Sequence, residues 1–158
     1  MDYRKLSEFM NGVFIILNEA VADMGIETHL LFSQMAKAYK GKAKNLLAKD
    51  LDINITGSDV KSVAESFSEQ IKKLGVCQRL NIVEATDEKL VVDIGECVFS
   101  QAGLILAKEE GKDYIPVCPM IAMLEAEIEE VTGKTLQIEK REFDLGHNSC
   151  IFSNTTLG

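Results

Sequence analysis

Four residues in the second half of the chain have types and spacings that could act together on a metal or a small molecule: Cys97, Cys118, His147 and Cys150. Cys118 precedes Pro119. A residue before proline avoids the helical region, and proline favours the first helical position, so Cys118 is expected at the N-cap of a helix. The positive end of that helix favours the thiolate, the form that binds metals and attacks electrophiles. Cys97 is expected where a strand ends. Cys150 opens another strand, three residues after His147 in H-N-S-C. If the fold brings these segments together, three thiolates and a neutral imidazole suit the tetrahedral preference of zinc, with Zn–S near ~2.3 Å and Zn–N near ~2.0 Å. Such a set is closed and structural. Loss of one protein ligand opens it to water or to a bound molecule. There is no C-x-x-C pair, and any one of these cysteines alone reads as a small buried hydrophobe.

Other chemistry-bearing residues read more plainly. Cys77 stands apart at the start of a strand and is expected in the core. His29 lies on an early helix beside apolar neighbours and is not expected to be a ligand. Glu125, Glu127, Glu129 and Glu130 are expected on a solvated helix face. No G-x-G-x-x-G, P-loop or G-x-S-x-G motif is present, so nothing marks a nucleotide enzyme.

Composition narrows the class. The chain has 158 residues, 46% apolar and 27% charged, which fits one soluble domain. Trp is absent and six Met are present, so aliphatic and thioether side chains must fill an adaptable core. A net charge of -8 repels a phosphate backbone and argues against nucleic-acid binding. The lysines between Lys37 and Lys49 are expected on a solvated helix face. No run of 18 apolar residues exists to span a membrane, and Met1 to Lys5 leads into a polar-faced helix, not a secretory signal. The chain is expected to be cytoplasmic, where thiols stay reduced.

The elements that must position the cysteines follow from periodicity. Leu6, Phe9, Met10, Val13, Leu17, Val21 and Met24 mark one face of a first helix that Gly25 ends. Phe14 and Ile16 lie off that stripe, which implies burial on two sides, by the core and by another subunit, hence a homodimer. A second helix runs from Glu27 to Ala38, with Gly41 as a break before Ala43–Leu47. Asp50–Ile55 alternates like a short edge strand. Ser58 is an expected N-cap for a helix over Val60–Leu74. A hairpin of Val76–Ala85 and Lys89–Ile94 follows, then a bent helical stretch to Lys108 and a charged loop at Glu109–Asp113. Pro119 opens a helix that Gly133 ends, and a hairpin of Thr135–Phe143 and Ser149–Ser153 closes the chain. Helices first and hairpins after argue for an α+β domain over 1–158, with helices packed on a twisted antiparallel sheet and a pocket between them. Residues 1–75 form the mainly helical part and 76–158 the sheet-plus-helix part.

G-E-C-V-F at Gly95, V-C-P with a helix ending E-E-V-T-G-K, and G-H-N-S-C-I-F-S resemble the C-terminal half of the 4-vinyl reductase, or hydrocarbon-binding, domain family. Many of its members are archaeal. The family is related in fold to haem-based nitric oxide sensors and to palmitate-binding subunits of Golgi transport tethers. The match spans the last 65 or so residues; the N-terminal helices match only in kind. The resemblance implies an apolar ligand pocket between helices and sheet, with cysteines near it at Cys97, Cys118 and Cys150; His147 does not transfer. The leading expectation is a regulatory module, dimeric, that binds or senses a small apolar molecule beside a zinc site. An enzyme using Cys118 or zinc on a small molecule, and a plain assembly subunit, are the alternatives.

Overall fold

The computed structural model describes residues 3–109, 111, 117–144, 146–147 and 149–158, apart from the side chains of Tyr3, Thr28, His29 and Lys42. The His29 side chain and most of the Glu109–Asp113 loop lie outside the described residues. The order is α1 (Tyr3–Asp23), α2 (Thr28–Ala38), a π-helical turn (Tyr39–Ala43), α3 (Lys44–Leu51), α4 (Val60–Lys73), β1 (Cys77–Ala85), β2 (Lys89–Cys97), α5 (Ser100–Glu109), α6 (Pro119–Thr132), β3 (Thr135–Asp144) and β4 (Ser149–Leu157). The two hairpins join through β2 and β4 into one antiparallel sheet of order β1-β2-β4-β3. This is the expected α+β class. No helix of the described residues is long and apolar enough to cross a membrane.

Helix α4 shows how local sequence and burial agree. Val60, Val63, Ala64, Phe67 and Ile71 recur at helical spacing and are all at most 1% exposed. Its cap is Asp59 and not Ser58: the Ser62 amide donates to Asp59 Oδ1 (2.8 Å), and the Asp59 amide donates to Ser62 Oγ (3.2 Å). This reciprocal box satisfies two otherwise orphaned donors. Helix α4 packs on β1 and α6 on β3, burying Leu80, Leu90, Val92, Ile94 and Phe152 beneath them.

Three expectations are corrected by layering. First, Asp50–Ile55 is not a strand. Helix α3 runs to Leu51, and Asp52 ends it in the left-handed region at φ 54°. Ile53 is nevertheless buried and Ile55 half-buried against the core, so the alternation records inward side chains without strand pairing. Second, α6 is covered on both sides, by the sheet and by α2. Glu125 and Glu127 are therefore buried, at 6% and 2% exposure, and not solvated. Glu127 accepts from Tyr39 Oη (2.7 Å) and Lys44 Nζ (2.8 Å), and Lys40 pairs with Glu129 (2.7 Å). Gly41 does not break the helix but sits in the π turn, where the Lys44 amide donates to the Tyr39 carbonyl. Third, α1 is turned outward. Asn11, Phe14 and Asn18 face inward, whereas Leu6, Phe9, Leu17 and Met24 of the expected core stripe are exposed. A helix with a broad apolar face does not declare which part of it turns inward, and the polar clasps described below decide it.

Burial pushes the Glu125 carboxyl up from 4.5 to about 7; the charge of Glu129 adds to this and Lys40 opposes it. The folded protein keeps a proton there that the unfolded chain has already released. Stability from this group is fully present below about 4.5 and is lost as pH rises through 7. Glu125→Gln is expected to raise stability at pH 8 by roughly 1–3 kcal/mol and to leave it nearly unchanged at pH 4, read from urea unfolding at both pH values.

Candidate functional site

A cavity lies where α1, α5 and the start of α6 meet the β2–β4 ladder. Three rings (Phe14, Phe99, Phe152) and three thiols (Cys97, Cys118, Cys150) line it, and no charged side chain does. The Phe14 and Phe99 rings stack at 5.0 Å. Its volume is about 20 Å³, room for about one water. Gly103 of α5 forms part of the wall, and a methyl group added there would sit 3.7 Å from Cys150 Sγ. A larger groove of about 640 Å³ runs between α1 and α5, with Arg4, Ser7 and Gln101 on its walls. Cys97 and Ser100 line both spaces, so the two adjoin at those residues.

The three sequence-predicted thiols do meet. Cys150 stands opposite Ile94 on one side and Phe143 on the other, pointing to the covered face of the sheet. Cys118 is the N-cap of α6, with Pro119 in the first turn, as the sequence indicates. Ile94 and Cys97 line the same cavity although strict alternation would place residues three apart on opposite faces. Glu96 resolves this: at φ 50° it is left-handed, and it turns the end of β2 so that Cys97 swings inward. Ser100 Oγ donates to the Cys97 carbonyl (2.9 Å) and starts α5 directly after that turn.

The charge state is not the expected one. Burial pushes the Cys118 thiol well above its ordinary range, and the neighbouring Cys97 adds to this; the Ile121 and Met120 amides at the helix start pull the other way and lose. Burial raises Cys97 as well, against the Phe99 and Ser100 amides. Burial raises Cys150 to about 11, with Arg141 opposing. All three are protonated, free thiols at neutral pH. Cys77 does not stand apart: it is the cross-strand partner of Cys97, and burial followed by that neighbour raises it to about 11.

His147 is not brought to the cavity. It sits on the β3–β4 turn with its side chain 71% exposed, its Nδ1 2.7 Å from Asp144 Oδ2. Its carbonyl accepts from Arg79 Nη2 (2.9 Å). The hydrogen bond with His147, aided by the Gly146 and His147 amides, holds the Asp144 carboxyl below its usual range. H-N-S-C thus spans the sheet end, with the imidazole outside and the thiol inside. Among the described residues no group of three or more His, Cys, Asp or Glu could hold a metal ion as arranged. The three sulfurs share a wall but not a coordination geometry.

Two asparagines of α1 close the cavity. Asn11 Nδ2 donates to the Val98 and Ser7 carbonyls (both 2.7 Å), and its Oδ1 accepts from the Ala102 amide (2.7 Å). Asn18 Nδ2 donates to the Phe14 carbonyl (2.9 Å), and its Oδ1 accepts from the Val117 amide (2.8 Å). The clasped backbones immediately adjoin Cys97 and Cys118. Phe14, between the two asparagines, is pressed into the cavity. Sequence reasoning missed this trio. The signal was present, since asparagine disfavours a helix interior and two occur at inward spacing around Phe14.

No protein-family model matches the chain, and no curated protein matches it in sequence. Among solved structures, the chain is similar to the phenol-responsive sensory domain of the transcription activator PoxR, solved with phenol. The TM-score is 0.51 over 92% of this chain and 73% of that chain, at 17% sequence identity. At that identity the likeness is one of fold.

Asn11→Ala strands the Val98 carbonyl and the Ala102 amide. A loss of about 1–3 kcal/mol is expected in urea unfolding, with faster labelling of Cys97 by an aromatic disulfide reagent. Unchanged stability and unchanged labelling would show that the clasp does not hold this wall.

Proposed function

We propose that this chain is a sensory module of the 4-vinyl reductase type that binds a small apolar molecule, a single aromatic ring or its equivalent, in the cavity beneath α1. The observation that carries the reading is the wall itself: three rings and three protonated thiols, with no charged group to demand a polar ligand. Small-molecule sites are concave and mostly apolar, with few polar groups to set orientation. The fold likeness to a phenol-responsive domain supports the same reading. At about 20 Å³ the cavity is too small for a ring, so a ring enters from the α1–α5 groove past Cys97 and Ser100 as Phe14 withdraws. The module works as a homodimer through the outer face of α1, and its four free thiols fit a reducing cytoplasm.

Phenol is the first probe. Phenol at about ten times its dissociation constant is expected to stabilise the chain by about 1.4 kcal/mol, or several degrees in Tm. Gly103→Ala places a methyl group 3.7 Å from Cys150 Sγ, takes up the cavity, and is expected to remove most of that shift while the chain stays folded. No stabilisation by phenol, cresols or short alkanes at millimolar levels would sink the reading.

A second reading is favoured by the thiols on one wall: a zinc ion that draws Cys97, Cys118 and Cys150 together. Thiols raised by burial must lose protons to bind it, so uptake would rise with pH. Metal analysis is expected to show about one zinc per chain, lost in Cys118→Ser and kept in His147→Ala. Protein purified without metal, with stability unaffected by Cys118→Ser, ends this reading.

A further inference from the structure

Cys77 and Cys97 are directly opposite each other on β1 and β2. The Val98 amide donates to the Val76 carbonyl (3.0 Å), so the adjacent Val76–Val98 pair is the hydrogen-bonded one and the Cys77–Cys97 pair is not. Pairs of that second kind hold their Cα atoms about 4.5 Å apart, inside the range of about 4.4–6.8 Å that a disulfide spans. Both side chains also turn the same way. Cys77 lies in the core cluster with Leu80, and Cys97 packs against that cluster, while Gln78 and Glu96 beside them are exposed. Burial raises the thiols of Cys77, Cys118 and Cys150, and the Cys97 sulfur adds to the rise in each, so it lies within electrostatic reach of all three. Only Cys77 is its partner across a strand pair. Cys118 caps α6, and Cys150 stands opposite Ile94.

Access differs between the two. Cys77 is 1% exposed, whereas Cys97 is half-buried and lines the groove between α1 and α5. Ser7, Asn11, Ser100 and Gln101 make that wall polar, so a small polar oxidant can reach the sulfur. The Phe99 and Ser100 amides face the sulfur and favour negative charge on it. We propose that Cys77 and Cys97 form a reversible disulfide when the chain meets a hydroperoxide. The Cys97 sulfur takes one oxygen as the O–O bond breaks, giving a sulfenic acid; its proton leaves with the alcohol, or with water when the oxidant is hydrogen peroxide. The Cys77 sulfur then attacks the Cys97 sulfur, the S–S bond forms and water departs. Two thiols together lose two hydrogens, and the peroxide is reduced. In a reducing compartment such a bond is transient and reports the oxidant. It draws Cys97 toward β1 and pins the Val98–Ser100 turn, where Asn11 holds the Val98 carbonyl. The disulfide is independent of what the cavity binds. Its effect on a ring passing Cys97 and Ser100 rests on the sensory reading above.

Peptide mapping of the whole chain tests it, because trypsin cuts after Arg79, Lys108 and Lys134 and so puts each cysteine in a different peptide. After hydrogen peroxide, the intact mass is expected to fall by two hydrogens per chain and a linked Cys77–Cys97 peptide to appear. Of the four free thiols, two are expected to remain in urea, and dithiothreitol restores the rest. Cys118→Ala is expected to keep the link. Cys77→Ala is expected to abolish it and to carry Cys97 on to the sulfinic acid, read as two added oxygens. The oxidised wild type is expected to bind phenol about tenfold more weakly than the reduced protein, with dithiothreitol reversing the loss. A link from Cys97 to Cys118, to Cys150 or to a second chain overturns the pair, as do four thiols surviving excess peroxide. Equal phenol binding in both redox states overturns the control of entry and leaves the disulfide standing. Absence of phenol binding by the reduced protein, with the Cys77–Cys97 link formed, sinks the sensory reading and upholds the disulfide.

Discussion

Two amide side chains govern the region that matters most. Asn11 and Asn18 tie α1 to the backbone beside Cys97 and Cys118, and everything about the cavity follows from that hold. Apolar packing alone is non-directional and would let a helix slide or roll on its neighbour. Hydrogen bonds with both partners out of water are directional, and leaving one unmade costs about 1–3 kcal/mol. The asparagines therefore fix the rotation of α1 about its axis. That rotation puts Phe14 into the cavity and leaves the Leu6–Met24 stripe facing away.

The thiols show two general effects in competition. A helix start favours negative charge by about 0.3–1 kcal/mol at an exposed site and up to ~2 when partly buried. Removing a thiolate from water costs more than that when no cation stands nearby. Cys118 has the helix start, the Met120 and Ile121 amides, and burial; burial wins. A wall of neutral thiols is chemically an apolar wall with polarizable atoms, which suits contact with an aromatic ring. The same position on an exposed helix would be a nucleophile.

Much of this was legible in the sequence, where local signals decide. Pro119 after Cys118 announced the start of α6, Gly25 and Gly133 announced helix ends, and the turn residues Thr86–Glu88 announced the first hairpin. The meeting of Cys97, Cys118 and Cys150 was only a condition at the level of sequence, carried by the family resemblance; the β2–β4 pairing and the left-handed turn at Glu96 bring the three to one cavity. What failed depended on neighbours that local pattern does not specify. Glu125 and Glu127 look like a solvated face until α2 is laid over them. The α1 stripe looks like core because an exposed apolar stripe and a buried one share a period. His147 looks close to Cys150 in sequence, but the strand end at Ser149 sends them to opposite sides.

The π turn between α2 and α3 carries one more lesson. It aligns Tyr39 and Lys44, five positions apart, over the single carboxylate of Glu127, where an ordinary helix would align positions four apart. That extra residue sets the phase of all that follows. Each residue of an α-helix advances the azimuth by about 100°. Shortening the turn by one position would rotate α3 by about that much, swing Lys44 off Glu127, and leave a negative charge sealed in the interior with one fewer cation. The irregularity is thus a spacer whose length is set by the position of a buried acid on a different helix.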